Sequence, residues 1–364
     1  MKVTIDDQVF AMHRRGGISK YFTHLLLEFT RMPDLNATTP YRYVVNQHLG
    51  EAFPQRYQVL PKPGRVPVWP VIDQLNRRGR RLERDVDLVH HTYYRASRLK
   101  DHPGARRVCT VHDMIPELFP DMFPLGNPHR DKRRFTEECD AILCVSENTK
   151  RDLLTIYGRL DKPVIVTHLG VDGRFFARQS GPPPTRTPYF LFVGARKGYK
   201  NFKLLGQALS LLANDLVDVN VVCIGGGEFT RSEIGLLREL GIASRVHQFS
   251  PSDPELATFY GHATALCFPS RYEGFGLPLV EAFASGCPVV IANTPCLVEI
   301  SGGAASVVDP GNPDELADSL LRVLQDSSHR KSLAVDGRQR ARDFTWEATA
   351  KKTVSAYRTV LGES

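Results

Sequence analysis

The chain has 364 residues, 42% apolar and 24% charged, with a formal net charge of +7. That length suits two domains of ordinary size better than one core, and the composition excludes wholesale disorder. No run approaches the roughly 18 apolar residues of a membrane span, and MKVTIDDQVF carries acids where a signal peptide needs an apolar block, so a cytoplasmic location is expected.

In chain order, short apolar runs predict strands at residues 2–6, 41–46, 88–90, 107–111, 141–145 and 164–167, while 20–31 and 147–157 carry the 3.6-residue spacing of helices. Gly16 and Gly17 follow the first strand and precede a helix, as in a phosphate-facing turn, although a glycine pair also suits a plain flexible connection. His112, in VHDMIPE, ends a strand, where an imidazole can meet a substrate hydroxyl; His90 and His91 end another and are expected to line a cleft wall. SGPPPTRTP, residues 180–188, reads as a stiff interdomain linker. Beyond it, strands recur at 189–193, 220–223, 246–249, 265–268, 288–291 and 305–308, again separated by helical stretches. A final helix over 345–360 is expected to pack back on the first domain. Two such series predict an α/β fold with two doubly wound parallel sheets, whose ligands sit at the carboxyl ends of strands, in a cleft between domains. The predicted boundaries are 1–178, joined by 345–364, a linker at 179–188, and 189–344.

The positive charge is uneven. Residues 1–178 hold 29 Lys and Arg against 21 Asp and Glu, whereas the remainder hold 18 against 19. The excess gathers in NRRGRRLER (Arg77, Arg78, Arg80, Arg81, Arg84) and in Arg130–Arg134. A solvated basic face is one reading; anionic lipid headgroups, a phosphate-bearing acceptor or nucleic acid are the others. The seven cysteines are scattered and lack a C-x-x-C pair, which predicts reduced thiols and no zinc site.

Two segments of the second half carry most of the chemistry. YFLFVGARKGYKNF runs from a strand through a turn crowded with Arg196, Lys197 and Lys200 into a helix, a setting suited to a diphosphate. FPSRYEGFGLPLVEAFASGCPVV runs from a strand through a glycine-rich turn into a helix that Pro278 begins and Gly286 ends. It places Glu273 and Glu281 on either side of that turn, beside a helix N-terminus that favours anions. Carboxylates in such a place suit the hydroxyls of a sugar or ribose. Neither Gly16-Gly17 nor Gly225-Gly226-Gly227 completes a G-x-G-x-x-G fingerprint.

EGFGLPLVEA, VGARKGYKN, GGISKYF, VHDMIPE, CVSENTKRDL and PCLVEISGGAASVVDP together resemble the retaining, nucleotide-sugar-dependent glycosyltransferases of family 4, over most of the chain. The resemblance implies the GT-B fold, two Rossmann-like domains facing a central cleft, and transfer of a hexosyl group to a glycan or lipid-linked hydroxyl in surface polysaccharide or glycolipid assembly. A nucleotide-diphosphate sugar such as GDP-mannose or a UDP-hexose is then the donor, with no cofactor, no metal and no nucleic acid partner. Residue by residue, it implies that Glu281 holds the ribose and Glu273 stands near the donor sugar. Gly274, Phe275, Gly276 and Leu277 hold sugar and phosphate, Lys200 and Arg196 hold the diphosphate, and Gly16, Gly17 and His112 meet the donor from the first domain. Arg196 stands one position later than the family's arginine, since Ala195 follows the Val-Gly pair. A peripheral place on the inner membrane face is expected through the basic clusters. The competing readings are a sugar-nucleotide epimerase or phosphorylase on the same architecture, and a non-catalytic nucleotide- or nucleic-acid-binding module.

Overall fold

The computed structural model describes residues 1–61, 68–79, 85–177, 181–196, 198–212 and 219–363. They form two compact units, Met1–Gly170 with Trp346–Ser364, and Val171–Thr345.

In the first unit, β1 (Lys2–Ile5), β2 (Asn36–Thr38), β5 (Leu88–His91), β6 (Arg106–Val111), β7 (Ala141–Cys144) and β8 (Val164–Val166) form one sheet in the order β2-β1-β5-β6-β7-β8. Every pair is parallel. β5 and β7 are buried along their whole length, as a sheet covered by helices on both faces requires. The stretch 41–46 departs from the sequence reading. Only Tyr43–Val44 (β3) is extended there, and it pairs with Gln58–Val59 (β4) in a small separate ribbon. The main-sheet edge is instead Asn36–Thr38, a half-exposed segment without an apolar run. The physical reason lies at Asn46, whose side chain accepts from Leu49 N at 2.9 Å and starts the helix Gln47–Ala52, so the run cannot continue as a strand.

The helix Trp346–Leu361 belongs to this unit: Trp346 stacks on His24 with centroids 4.5 Å apart, and Tyr357 meets His90 Nδ1 at 2.6 Å. Among the described residues, no helix is long and apolar enough to cross a membrane.

The second unit holds β9 (Tyr189–Val193), β10 (Asn220–Ile224), β11 (Val246–Phe249), β12 (Ala265–Phe268), β13 (Val289–Ala292) and β14 (Ser306–Val308) in the order β11-β10-β9-β12-β13-β14, all parallel. Phe190, Phe192, Leu205, Val221 and Leu320 anchor its core, each fully buried apolar side chain contributing about 1.5–3 kcal/mol. The unit begins at Val171, ahead of the proline-rich stretch. Its first turn is already anchored there: Phe175 is buried edge-on against Tyr260, and Arg338 donates to the Phe176 carbonyl. Strand order reverses between β9 and β12, and the segments that leave their carboxyl ends lie side by side.

Candidate active site

Those two segments are residues 194–201 after β9 and 269–276 after β12. Asn201, in the left-handed conformation at φ 56°, donates from Nδ2 to the carbonyls of Pro269 (3.2 Å) and Pro310 (2.9 Å), and Arg271 N donates to Tyr199 O at 2.7 Å. One main-chain bond and the Asn201 side chain therefore stitch the two turns to each other and to the loop after β14. Across this seam Lys200 Nζ meets Glu273 Oε1 at 2.6 Å, with side-chain exposures of 13% and 10%. The Lys200 stem passes close over Gly194, and its ammonium lies 5.2 Å from the Phe268 ring centroid. Reduced exposure to water makes this pair stronger than a surface ion pair, and it preorganises a cation where the doubly wound topology places ligands.

The Tyr272–Gly276 turn is itself buried. Phe275 points inward against Phe344, with centroids 5.5 Å apart, and its carbonyl accepts from Cys296 Sγ. Gly276 precedes the helix Leu277–Ala284 at φ 95°, and a Cβ there would come within 3.1 Å of Leu297 and 3.3 Å of Phe268; only glycine fits both the angle and the space. Glu281 rides on this helix, 5% exposed, and accepts from Tyr260 Oη at 3.1 Å. The two glutamates thus have separate partners, Glu273 with Lys200 and Glu281 with Tyr260.

Arg196 occupies a different place from the one its sequence position suggests. Its guanidinium is 1% exposed and donates to Glu233 Oε1 (3.0 Å), Gly225 O (2.6 Å), Gly227 O (2.7 Å) and Glu228 O (3.0 Å) while lying over Phe229. Gly225, Gly226 and Gly227 all have positive φ, and a Cβ on Gly226 would touch Arg196 Nη1 at 3.0 Å. The glycine run is the cradle of this arginine. Arg196→Ala would strand several buried acceptors and Glu233 at a cost of about 3–5 kcal/mol. The variant is therefore expected to lose activity together with thermal stability, read by activity assays beside a melting curve; lost turnover at an unchanged Tm would contradict this placement. Lys197 lies outside the described residues.

In the first unit, Gly16 and Gly17 are exposed at the start of the helix Gly17–Phe29, with Ser19 Oγ donating to Gly16 O at 3.0 Å. His112 packs edge-on against Tyr21 and Phe22 of that helix, with centroids 5.2 and 5.9 Å away. Burial, together with His129 and Lys132, outweighs the pull of Asp113 and lowers its pKa to about 3. The ring is therefore neutral near pH 7, able to donate or accept one hydrogen bond.

His90 and His91 do not line a wall: they are 0% and 1% exposed. His90 is held between Tyr357 and Thr110, and His91 Nδ1 lies 2.8 Å from Asp6 Oδ2. Burial alone would raise the pKa of Asp6, but hydrogen bonds and charge from His91, with donors on Thr92 and Gln8, hold it down to about 2. This network joins the ends of β1 and β5, the strand-order reversal of the first sheet. Its one sequence signal is a pair of polar runs at two strand ends, Asp6-Asp7-Gln8 and His90-His91-Thr92.

The basic runs are less free than they read. In the second, Lys132 is fully buried against Glu117 at 2.8 Å, and Arg133 and Arg134 pair with Glu137 and Glu138 one helical turn on. Of the first, Arg80, Arg81 and Arg84 lie outside the described residues, as do the side chains of Arg77 and Arg78. All seven cysteines are buried free thiols. Among the described residues, no group of three or more His, Cys, Asp or Glu is placed to hold a metal ion.

Comparison with known proteins converges on one enzyme class. Residues 15–175 match the family Glycosyltransferase Family 4, and residues 173–340 match Glycosyl transferases group 1. The chain is 37% identical over 307 residues to a D-inositol 3-phosphate glycosyltransferase of Corynebacterium diphtheriae, covering 74% of this chain and 70% of that one. It is 27% identical over 299 residues to the O-antigen chain mannosyltransferase B of Escherichia coli, covering 75% and 74%. In fold it is similar to Anabaena HepE, solved in complex with UDP-glucose, with a TM-score of 0.74 at 16% identity over 99% and 100% of the chains.

Proposed function

Since this chain belongs to glycosyltransferase family 4 and has the GT-B fold, we propose that it is a retaining hexosyltransferase that moves a sugar from a nucleoside diphosphate to a hydroxyl of a glycan or lipid-linked acceptor. The observation that carries the reading is the Lys200–Glu273 pair, fixed at the β9/β12 strand ends beside a helix N-terminus. The relatives' names favour a mannosyl or related donor such as GDP-mannose, while the HepE complex favours a UDP-hexose. The E. coli relative's name also supports a role in surface polysaccharide assembly.

In this reading the diphosphate displaces Glu273 as the partner of Lys200 and takes further hydrogen bonds from the amides of Gly274–Leu277. Negative charge grows on the leaving phosphate as the glycosidic bond breaks, so a fixed cation and preorganised N–H groups lower the barrier more than a general acid does. Arg196 holds the Gly225–Glu228 turn and adds its charge from beneath. The freed Glu273 faces the developing positive charge on the sugar. The acceptor hydroxyl attacks on the face that the phosphate leaves, and that phosphate takes its proton, which retains the anomeric configuration without a protein nucleophile. His112, neutral near pH 7, and the exposed Gly16-Gly17 turn are the first unit's candidates for binding substrate hydroxyls. Lys200 and the helix amides supply the positive charge, so metal-independent turnover is part of the proposal.

Glu281 grips the ribose hydroxyls. Glu281→Ala is expected to raise KM for the donor about tenfold, the equivalent of ~1.4 kcal/mol of lost hydrogen bonding, with kcat little changed. An unchanged KM would remove the residue from the donor site. The reaction itself is tested by product analysis: free nucleoside diphosphate should appear in step with a glycoside of the donor's anomeric configuration, and only quickly when an acceptor is present. An inverted product would end the retaining assignment, and acceptor-independent conversion of the sugar nucleotide would favour an epimerase.

The enzyme works on the cytoplasmic face of a membrane, drawn to anionic lipid by the first unit's basic residues. Sedimentation with anionic vesicles should exceed that with neutral ones and fall with added salt; equal sedimentation would contradict it.

A further inference from the structure

The first unit contains an open cavity of about 650 Å³ beside the carboxyl end of β5, walled by Trp69, Tyr93, Arg95, Leu125, Arg130 and Asp131, that the donor chemistry leaves unused. Its floor is rigid: Arg95 N donates to Gln8 Oε1 at 2.8 Å, Gln8 Nε2 donates to Tyr93 O at 3.0 Å, and Ala96 N donates to Asp131 Oδ2 at 3.1 Å. Arg95 lies flat on Trp69, its guanidinium carbon 3.6 Å from the ring centroid. Its Nη1 is enclosed yet has no hydrogen-bond partner among the described residues. An enclosed cationic N–H without an acceptor is costly, and an incoming anion relieves that cost. The neighbouring Arg98 is already matched to Asp7, Asp73 and Asp101, so those carboxylates are engaged elsewhere. Burial, and then Arg98, lower the pKa of Arg95 against the opposing pull of Asp73, Asp7 and Asp6. Against Asp131, the cavity carries Arg95 and the exposed Arg130, an excess of one positive charge. Aromatic walls beside it suit the apolar face of a pyranose ring.

We propose that this cavity is an acceptor subsite for a saccharide ring bearing an acidic group, with Arg95 and Arg130 meeting the acid and Asp131 accepting from a ring hydroxyl. The inference rests on the transferase reading and names the class of its acceptor. Calorimetric titration of the full-length enzyme with glucuronic acid, glucose 6-phosphate, glucose and inorganic phosphate tests it. At least one acidic sugar should bind ten times more tightly than glucose and than phosphate, and the preferred one identifies carboxylate or phosphate as the group. R95Q and R130Q should each reduce that preference at least fivefold; Arg130 is exposed, so its variant remains informative if R95Q fails to fold. Equal binding of glucose and the acidic sugars, or a preference that survives both variants, would overturn the subsite. Phosphate binding as tightly as glucose 6-phosphate would reduce it to a simple anion site and also overturn it. Slow hydrolysis of the sugar nucleotide in water, measured in parallel, separates the two readings: hydrolysis without acidic-sugar preference rejects the subsite alone, whereas no turnover of any sugar nucleotide rejects the transferase.

Discussion

Lys200→Ala is expected to lower kcat by about 10²–10³-fold, the loss typical when one preorganised donor to a developing oxyanion is removed. The size follows from the placement of the residue. Its stem is clamped over Gly194, its ammonium is held by Glu273 at 2.6 Å, and the two turns that carry the pair are joined by the Asn201 side chain, which donates to Pro269 O, and by the Arg271 N–H, which donates to Tyr199 O. A cation so fixed needs little reorganisation when charge builds on the leaving phosphate. Lys200→Arg should recover only part of the rate, because a guanidinium spreads its charge and cannot occupy the same point. Steady-state kinetics at saturating donor decide the matter. An effect under fivefold on kcat for the alanine variant would remove Lys200 from the transition state.

The second large effect is on acid stability. His90 is fully buried and His112 partly so, and burial lowers both pKa values from 6.5 to about 3. Below pH 6.5 the unfolded chain binds protons that the folded one refuses, so stability falls as pH falls from 6.5 toward 3. At about 1.4 kcal/mol per tenfold difference in proton affinity, the two residues together remove about 4–5 kcal/mol between pH 6.5 and 4.5, a large share of an ordinary domain's stability. Asp6 acts lower on the scale: its pKa falls from 3.8 to about 2, so its contribution is intact above pH 4 and is lost as pH drops toward 2. It does not offset the histidines in their window. All these groups belong to the first unit, and so do both tryptophans, Trp69 and Trp346. Tryptophan emission should therefore report acid unfolding near pH 4.5–5, and His90→Phe should flatten the dependence if the ring is tolerated beside Thr110 and Tyr357. A first unit equally stable at pH 7 and 4.5 would contradict these assignments.

Much of this was legible in the sequence because parallel strands covered on both faces read as continuous apolar runs. Ala141–Cys144 and Ala265–Phe268 are of that kind, and both were recoverable to within a residue. Asn36–Thr38 was not, since an edge strand of three polar or small residues carries no such pattern. The glycine turn before Leu277 was legible for a local reason, a special φ followed at once by a helix start. Partnerships between distant residues were not. Nothing in the order of residues shows that Arg196 meets Glu233, 37 positions away, or that Lys132 of a basic run is buried on Glu117. His90 and His91 show the same limit: strand-end position suggested accessibility, and the helix Trp346–Leu361, packed on from the far end of the chain, helps enclose His90.

The most direct test is a thermal-shift panel of UDP, GDP, ADP, CDP and NAD on the full-length protein and its Lys200→Ala variant. A nucleoside diphosphate held at the β9/β12 strand ends should raise the stability of the wild type by about 2.7 kcal/mol at a hundredfold excess over Kd. One of the diphosphates should do so selectively, and the variant should lose most of the shift. No stabilisation by any of them, or a shift that Lys200→Ala leaves whole, would contradict the account.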